Sequence, residues 1–188
     1  GRETFKTVLA DVLIQLEKNG YIASAHATTK AGDATEAAQT ACKIGFDLII
    51  AVGGDGTVNE VLNGMADFEE RPVLGIIPMG TVNDFASALY IDSEIESAVD
   101  TIVNGQTMFI DIGKMNSKYF MNIAGGGKIT AVSYEAPSKL KAVIGTLAYY
   151  VKGIELLPQI TSTNIRIEYD ENVFEGEVML FLIGLTNS

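Results

Sequence analysis

Apolar positions recur along this chain in two rhythms, and the rhythm changes once. Val8, Val12, Leu13 and Leu16 repeat at helical spacing and stop at Gly20, which predicts an amphipathic helix over residues 3–18 with Gly20 as its C-terminal cap. A strand-like stretch, Tyr21 to Thr28, follows. Asp33 with Glu36 three residues on has the form of an N-cap and its capping-box partner, opening a helix through Cys42 that closes near Gly45. Residues 46–52 (FDLIIAV) form an apolar run, as expected of a strand buried on both faces of a parallel sheet. Val58, Val61, Leu62 and Met65 then return to helical spacing, residues 72–78 (PVLGIIP) predict a second buried strand, and Ser93 with Glu96 marks a capping box ahead of Ile95, Ala98, Val99 and Ile102. Helices alternating with apolar strands predict an α/β layer with a mostly parallel sheet.

From about residue 107 the period shifts. Residues 108–115 and 119–124 read as strands joined by Asn116-Ser117, and Ile165, Ile167 and Tyr169 alternate with Asn164, Arg166 and Glu168 before an Asp-Glu-Asn turn and a further strand to Leu185. This is antiparallel β material, interrupted by a helix over 138–157 with Leu140, Val143, Leu147, Tyr150, Val151 and Ile154 on one side. The expected division is therefore an α/β domain over 1–106 and a β-rich domain over 107–188. The opening helix has no strand before it and the last strand has no closing element, so the chain reads as part of a longer protein.

The 188 residues carry 13 Lys or Arg against 24 Asp or Glu, a net charge of −11, with 47% apolar residues. That suits a packed globular protein and argues against a nucleic-acid binder, which needs surplus cations to neutralise phosphates. The total hides a segregation. Residues 114–152 hold six basic side chains and one acidic, whereas both flanking segments are acidic. No apolar run approaches the roughly 18 to 20 residues of a membrane-spanning helix, and the N-terminus has no signal-peptide core. Cys42 is the only thiol and His26 the only imidazole, so neither an internal disulfide nor a zinc cluster is available, and a reducing cytoplasmic setting fits. Both read as structural residues.

The strongest chemical signal is residues 53–60 (GGDGTVNE), directly after one buried strand and directly before a helix. Glycines there let backbone N–H groups approach phosphate oxygens, and the helix N-terminus adds the positive end of its dipole. Asp55 would repel phosphates unless a cation lies between, which points to Mg²⁺ held directly or through water. Residues 78–86 (PMGTVNDFA) leave the second strand at the same end, where open α/β sheets bind their ligands. There the Thr81 hydroxyl could reach a phosphate or base, while Asn83 or Asp84 could instead cap the next helix.

Together with residues 110–113 (IDIG) and 120–122 (FMN), these two motifs resemble the diacylglycerol kinase catalytic-domain family, closest to the soluble bacterial enzymes and similar to sphingosine and ceramide kinases. The PxGTxNDFA element separates these lipid kinases from NAD kinases and phosphofructokinases, which carry loops similar to GGDGT. The resemblance implies a Rossmann-like nucleotide domain and part of an antiparallel β-sandwich for the lipid substrate. It implies ATP and Mg²⁺ as cofactors and phosphoryl transfer to diacylglycerol, giving phosphatidic acid. By motif match it assigns nucleotide contact to Thr28, Gly54, Asp55, Gly56, Thr57, Val58, Asn59, Glu60 and Thr81, and an indirect metal link to Asp55. The general base would lie downstream of Ser188. Two other readings share these residues: a related kinase such as an NAD kinase, or a nucleotide-binding module without turnover in this length.

A lipid kinase also needs a surface that meets the bilayer. Lys139, Lys141 and Lys152 flank the apolar helix of the basic segment and are the candidates for contact with an anionic membrane, at the cytoplasmic face of the inner membrane. A solvated face of lysine stems covering the core is the plainer reading. A second copy of the chain is a further candidate partner.

Overall fold

The computed structural model describes residues 2–126 and 162–185. They belong to two compact units, Gly1–Asn122 and Ile123–Ser188. The 138–157 helix, and with it Lys139, Lys141 and Lys152, lies outside the described residues.

In the first unit, α1 (Arg2–Lys18) ends where Gly20 takes a φ of +87°, and the Tyr21 N–H closes the last turn on the Leu16 carbonyl at 3.1 Å. Next come α2 (Asp33–Ile44), β1 (Leu48–Gly53), α3 (Asp55–Met65), β2 (Val73–Pro78), α4 (Asp84–Ala88) and α5 (Ile95–Asn104). β1 and β2 are parallel neighbours in unbroken register, from Leu48 opposite Val73 to Gly53 opposite Pro78. The period-2 rule then sorts their side chains onto two faces. Ile49, Ala51, Leu74 and Ile76 join Ala34, Ala38, Val58, Val61, Met65 and Phe85 from α2, α3 and α4. Ile50, Val52 and Ile77 join Val12 and Leu16 of α1 and Ala98 and Val99 of α5. Ile77 is 0% exposed and Val99 2%; burying side chains of this size contributes about 1.5–3 kcal/mol each. Small residues set the approach of α2 to α3: a Cβ on Gly64 would lie 2.5 Å from the Thr35 carbonyl oxygen and 2.7 Å from the Ala38 Cβ.

The parallel α/β layer is as the apolar pattern predicts, but several local expectations are corrected. Residues 21–28 form no strand: they have no backbone ladder among the described residues, and Ile22 is 97% exposed. Strand propensity needs a neighbouring edge to pair with. Neither capping box forms. The N-cap of α2 is Gly32 at φ +90°, and the Asp33 carboxylate turns backwards to the preceding turn. The N-cap of α5 is Glu94 with no side-chain cap bond, while Asp92 accepts the Glu94 N–H at 3.0 Å. β1 is covered on both faces, yet only Ala51 in it is fully buried.

The sequence 108–124 divides differently from the two strands expected. Residues 106–112 are unpaired, β3 (Gly113–Met115) and β4 (Lys118–Phe120) form a short hairpin across Asn116 at φ +56°, and β5 (Ile123–Gly126) belongs to the second unit. The hairpin is fastened to α3 by Asn63. Its Oδ1 accepts the Tyr119 N–H at 2.8 Å and its Nδ2 donates to the Tyr119 carbonyl at 2.9 Å, imitating a strand neighbour. The change of hydrophobic period falls at 104–107, while the compact division falls after Asn122 because of this fastening.

In the second unit, β5 pairs antiparallel with β8 (Phe181–Gly184), and β6 (Thr163–Tyr169) pairs with β7 (Asn172–Val178) across a turn with Asp170 at φ +49°. Ile165 and Ile167 are half-buried while Asn164, Arg166 and Glu168 are exposed, as alternation requires. The chain is thus mixed α/β, with a parallel sheet and helices followed by antiparallel strands.

Candidate functional site

Because Gly53 stands opposite Pro78, β1 and β2 end level with one another, and the loops that follow leave from one edge. The Met79 N–H continues the ladder one step further, onto the Gly53 carbonyl at 2.9 Å. Such an edge, at the carboxyl ends of parallel strands, is where an open α/β sheet can receive a ligand.

The first loop is built for close approach. Gly54, the N-cap of α3, is extended, and its carbonyl accepts the N–H of Thr57 at 2.9 Å and of Val58 at 3.1 Å. That leaves the Asp55 and Gly56 N–H groups as first-turn donors for which the helix offers no acceptor. They point along the positive end of the α3 dipole. Thr57 lies back over Gly53, where an added Cβ would be 2.6 Å from the Thr57 Oγ1. Gly56 is exposed with open space on its Cβ side.

The second loop is held against the first by two contacts and braced within itself by a third. A Cβ on Gly80 would sit 2.5 Å from the Gly54 Cα, and one on Gly54 would sit 3.0 Å from the Gly80 Cα, so these two backbones touch only because both residues are glycine. Asn83 Oδ1 accepts the Gly80 N–H at 2.9 Å and its Nδ2 donates to the Gly80 carbonyl at 3.1 Å. Across the loops, the buried Phe85 donates its N–H to Asp55 Oδ1 at 3.2 Å. Asp55 therefore caps α4, the role the sequence offered to Asn83 or Asp84. Asn83 occupies the N-cap position without a side-chain cap bond, and Asp84 is the exposed first residue of the helix. Asn83, which the sequence offered as a cap for the next helix within the PxGTxNDFA element, instead grips Gly80.

The remaining expected contact residues take varied positions. Thr81 is exposed in the second loop, and Thr28 is exposed just before the turn that leads into α2. That turn is held by Asp33, whose Oδ2 accepts the Thr29 N–H at 2.7 Å, the Thr29 hydroxyl at 2.8 Å and the Lys30 N–H at 3.0 Å. These donors, the Thr29 N–H foremost, hold the Asp33 carboxyl below the usual carboxylate range. Val58 is withdrawn: its side chain is 3% exposed in the core and its N–H is taken by Gly54. The Glu60 carboxylate accepts the Ala34 N–H at 3.3 Å, and its backbone carbonyl accepts the Thr35 hydroxyl at 2.9 Å, tying α3 to the start of α2. The Asn59 carbonyl accepts the Asn63 side chain at 2.8 Å. The open mouth is thus formed by Gly54, Asp55, Gly56 and Thr57 on one side and by Gly80 to Asn83 on the other.

Among the described residues no group of three or more His, Cys, Asp or Glu could hold a metal ion. Asp55 Oδ2 has no donor among those residues, so one carboxylate oxygen is left for a cation. Burial raises the pKa of the half-buried Cys42, consistent with an inert thiol. His26 is exposed. Of the basic segment, Lys114 donates to the Tyr119 hydroxyl at 2.8 Å and lies 3.6 Å from Asp67, which accepts the Tyr119 hydroxyl at 2.5 Å. That lysine is engaged within the acidic first unit. Among the described residues no helix is long and apolar enough to cross a membrane.

The family model of the diacylglycerol kinase catalytic domain matches residues 1–115. A protein of Staphylococcus epidermidis named diacylglycerol kinase is 60% identical over the whole chain, which covers 60% of that relative, and one of Staphylococcus aureus with the same name is 57% identical with 60% covered. The crystal structure of a diacylglycerol kinase from Bacillus anthracis superposes with a TM-score of 0.71 at 34% identity, over 95% of this chain and 58% of that one. The chain spans about three-fifths of the length of the curated relatives it matches.

Proposed function

The chain belongs to the diacylglycerol kinase catalytic-domain family, and from that premise we propose that it supplies the nucleotide-binding part of an ATP-dependent kinase that phosphorylates diacylglycerol to phosphatidic acid. The observation that carries this reading is the pair of loops at the level ends of β1 and β2, where the Asp55 and Gly56 N–H groups at the start of α3 have no acceptor among the described residues. A phosphate oxygen is the ligand such a cradle suits. In the proposed step the lipid hydroxyl oxygen bonds to the γ-phosphorus of ATP, the bond to the bridging β–γ oxygen breaks, ADP leaves, and a base takes the hydroxyl proton.

The chain's own residues bind and orient. Asp55 and Gly56 would donate to phosphate oxygens, Thr57 would shape the turn, and Thr81 and Thr28 would offer hydroxyls to the nucleotide. Val58 and Glu60, assigned to nucleotide contact by motif alone, would act at most by fixing α3 against the core and α2. Mg²⁺ fits this donor set. It commonly takes one or two carboxylates and completes its shell with water and phosphate oxygens, and Asp55 Oδ2 provides such a carboxylate oxygen without a protein cluster. Bound there, the ion would neutralise charge on the transferring phosphoryl group.

The first unit is proposed to hold ATP and the second to meet the lipid. Charge segregation in the sequence supports a membrane contact through Lys139, Lys141 and Lys152. The test is to incubate the full gene product with γ-labelled ATP and either diacylglycerol in mixed micelles or NAD. The expected result is label in phosphatidic acid. Label in the dinucleotide, or bound nucleotide with no transfer, would overturn the reading.

A further inference from the structure

Asn83 stands out among the loop residues. Its backbone is left-handed, with φ 56° and ψ 45°, a region that few residues other than glycine enter and that Asn tolerates better than most. Its side chain makes no bond to α4, although it occupies that helix's N-cap position. Instead both ends of its amide return to one residue, Oδ1 to the Gly80 N–H and Nδ2 to the Gly80 carbonyl. Only a side chain that carries an acceptor and a donor on one short planar group can do this; Asp lacks the donor, and Ser and Thr have a single oxygen.

What Asn83 grips is the residue that touches the phosphate loop. Gly80 abuts Gly54, and the Gly54 carbonyl in turn accepts the Thr57 and Val58 N–H groups of α3. The cap of α4, which Asn83 leaves undone, is supplied by Asp55 from the other loop. Each loop therefore serves the other, Asp55 by completing α4 and Asn83 by fixing the face of Gly80 on which Gly54 rests. We infer that Asn83 is a positioning residue for phosphoryl transfer, acting through Gly80 and Gly54 to set the Asp55 and Gly56 N–H groups rather than by touching the nucleotide. This inference rests on the functional reading given above.

The test compares wild type with Asn83→Gly in the full gene product, measuring Tm, the KM for ATP, the KM for diacylglycerol and, separately, ADP affinity by calorimetry. Glycine keeps the left-handed backbone and removes only the grip. The expected result is a near-wild-type Tm, an unchanged KM for diacylglycerol, and a KM for ATP and an ADP Kd both raised about tenfold or more, as misplacement of a binding group produces. A folded variant with unchanged ADP affinity would overturn the inference, as would equal losses for both substrates. If Asn83→Gly does not fold, Asn83→Asp, which retains the acceptor, is measured in the same way against the same criteria. Should wild type bind ADP yet leave diacylglycerol untouched, the kinase reading fails, and the role of Asn83 is still decided by the ADP affinities.

Discussion

The Phe85 N–H donates to Asp55 Oδ1 at 3.2 Å, so the acid of the first loop completes the helix that follows the second. One carboxylate thereby has two separable roles: Oδ1 is a structural acceptor, and the negative charge is available to a cation at Oδ2. Substitutions can divide them.

Asp55→Asn keeps an Oδ1 acceptor and removes the charge. Its Tm should stay close to wild type while kcat falls by about 10²–10³, the scale of losing one electrostatic group in a transition state. Asp55→Ala loses both, and should add a destabilisation of about 1 kcal/mol for the unmade hydrogen bond. Denaturant titration with steady-state rates on the same preparations checks both. Full activity in Asp55→Asn would remove the metal link.

Gly80→Ala places a methyl group 2.5 Å from the Gly54 Cα and 2.6 Å from the Asn83 Oδ1. Backbone cannot yield as a side-chain tip can, so the loops must part, at a cost of about 1–3 kcal/mol. ATP affinity should fall more than the affinity for diacylglycerol. Gly56→Ala meets no protein atom, so any loss of ATP affinity there reports on the ligand's own space. Calorimetric titration of ADP into both variants measures the contrast.

The exposed Asp67 and Lys114 and the half-buried Tyr119 make a pH-dependent fastening of the β3–β4 hairpin. The Tyr119 hydroxyl first, and Lys114 second, hold the Asp67 carboxyl below its ordinary value. A carboxylate depressed in the folded state stabilises above its unfolded pKa, and that contribution fades as pH falls through the folded pKa. Lys114 is shifted upward, chiefly by the Tyr119 hydroxyl; its contribution holds below the unfolded lysine pKa and fades as pH rises through the folded one. Tyr119→Phe should thus flatten the acid limb of Tm below about pH 4, the carboxylate range, and leave activity at neutral pH near wild type. Thermal melts of both proteins across that range provide the comparison.

Lys139, Lys141 and Lys152 lie outside the described residues, but their charge makes a direct claim. Each basic residue near an anionic leaflet contributes about 1 kcal/mol. The Lys139/Lys141/Lys152→Glu variant of the full gene product should therefore lose most of its sedimentation with anionic vesicles at low salt. Equal sedimentation of wild type and variant would end that proposal.

Much of this was legible in the residues, for identifiable reasons. The paired parallel strands and the helices on their two faces follow from period alone, since Ile49 and Ala51 must face opposite to Ile50 and Val52. Gly45 at φ +86° closes α2 as a C-terminal glycine should. What could not be read were arrangements fixed by distant partners. Residues 21–28 have strand composition, but pairing is a property of two segments. Asp33 and Ser93 fit capping boxes, yet Asp33 finds three donors behind it and α5 begins one residue beyond Glu94, so neither box closes. The motif singled out residues 54–60 as a block, and packing divides them: Val58 goes to the core, Glu60 to α2, and Asp55 and Gly56 stay at the mouth. Gly80 stands in the PxGTxNDFA element, but its contact with Gly54 is visible only in the fold.

The central claim is that the level ends of β1 and β2 cradle the phosphates of ATP. It is tested most directly by a crystal structure of the full gene product with a non-hydrolysable ATP analogue and Mg²⁺. Phosphate oxygens should lie within hydrogen-bonding distance of the Asp55 and Gly56 N–H groups, with the Gly54–Gly80 contact intact. Phosphates bound away from the first turn of α3, or a mouth that must open at Gly54 and Gly80 to admit them, would contradict it.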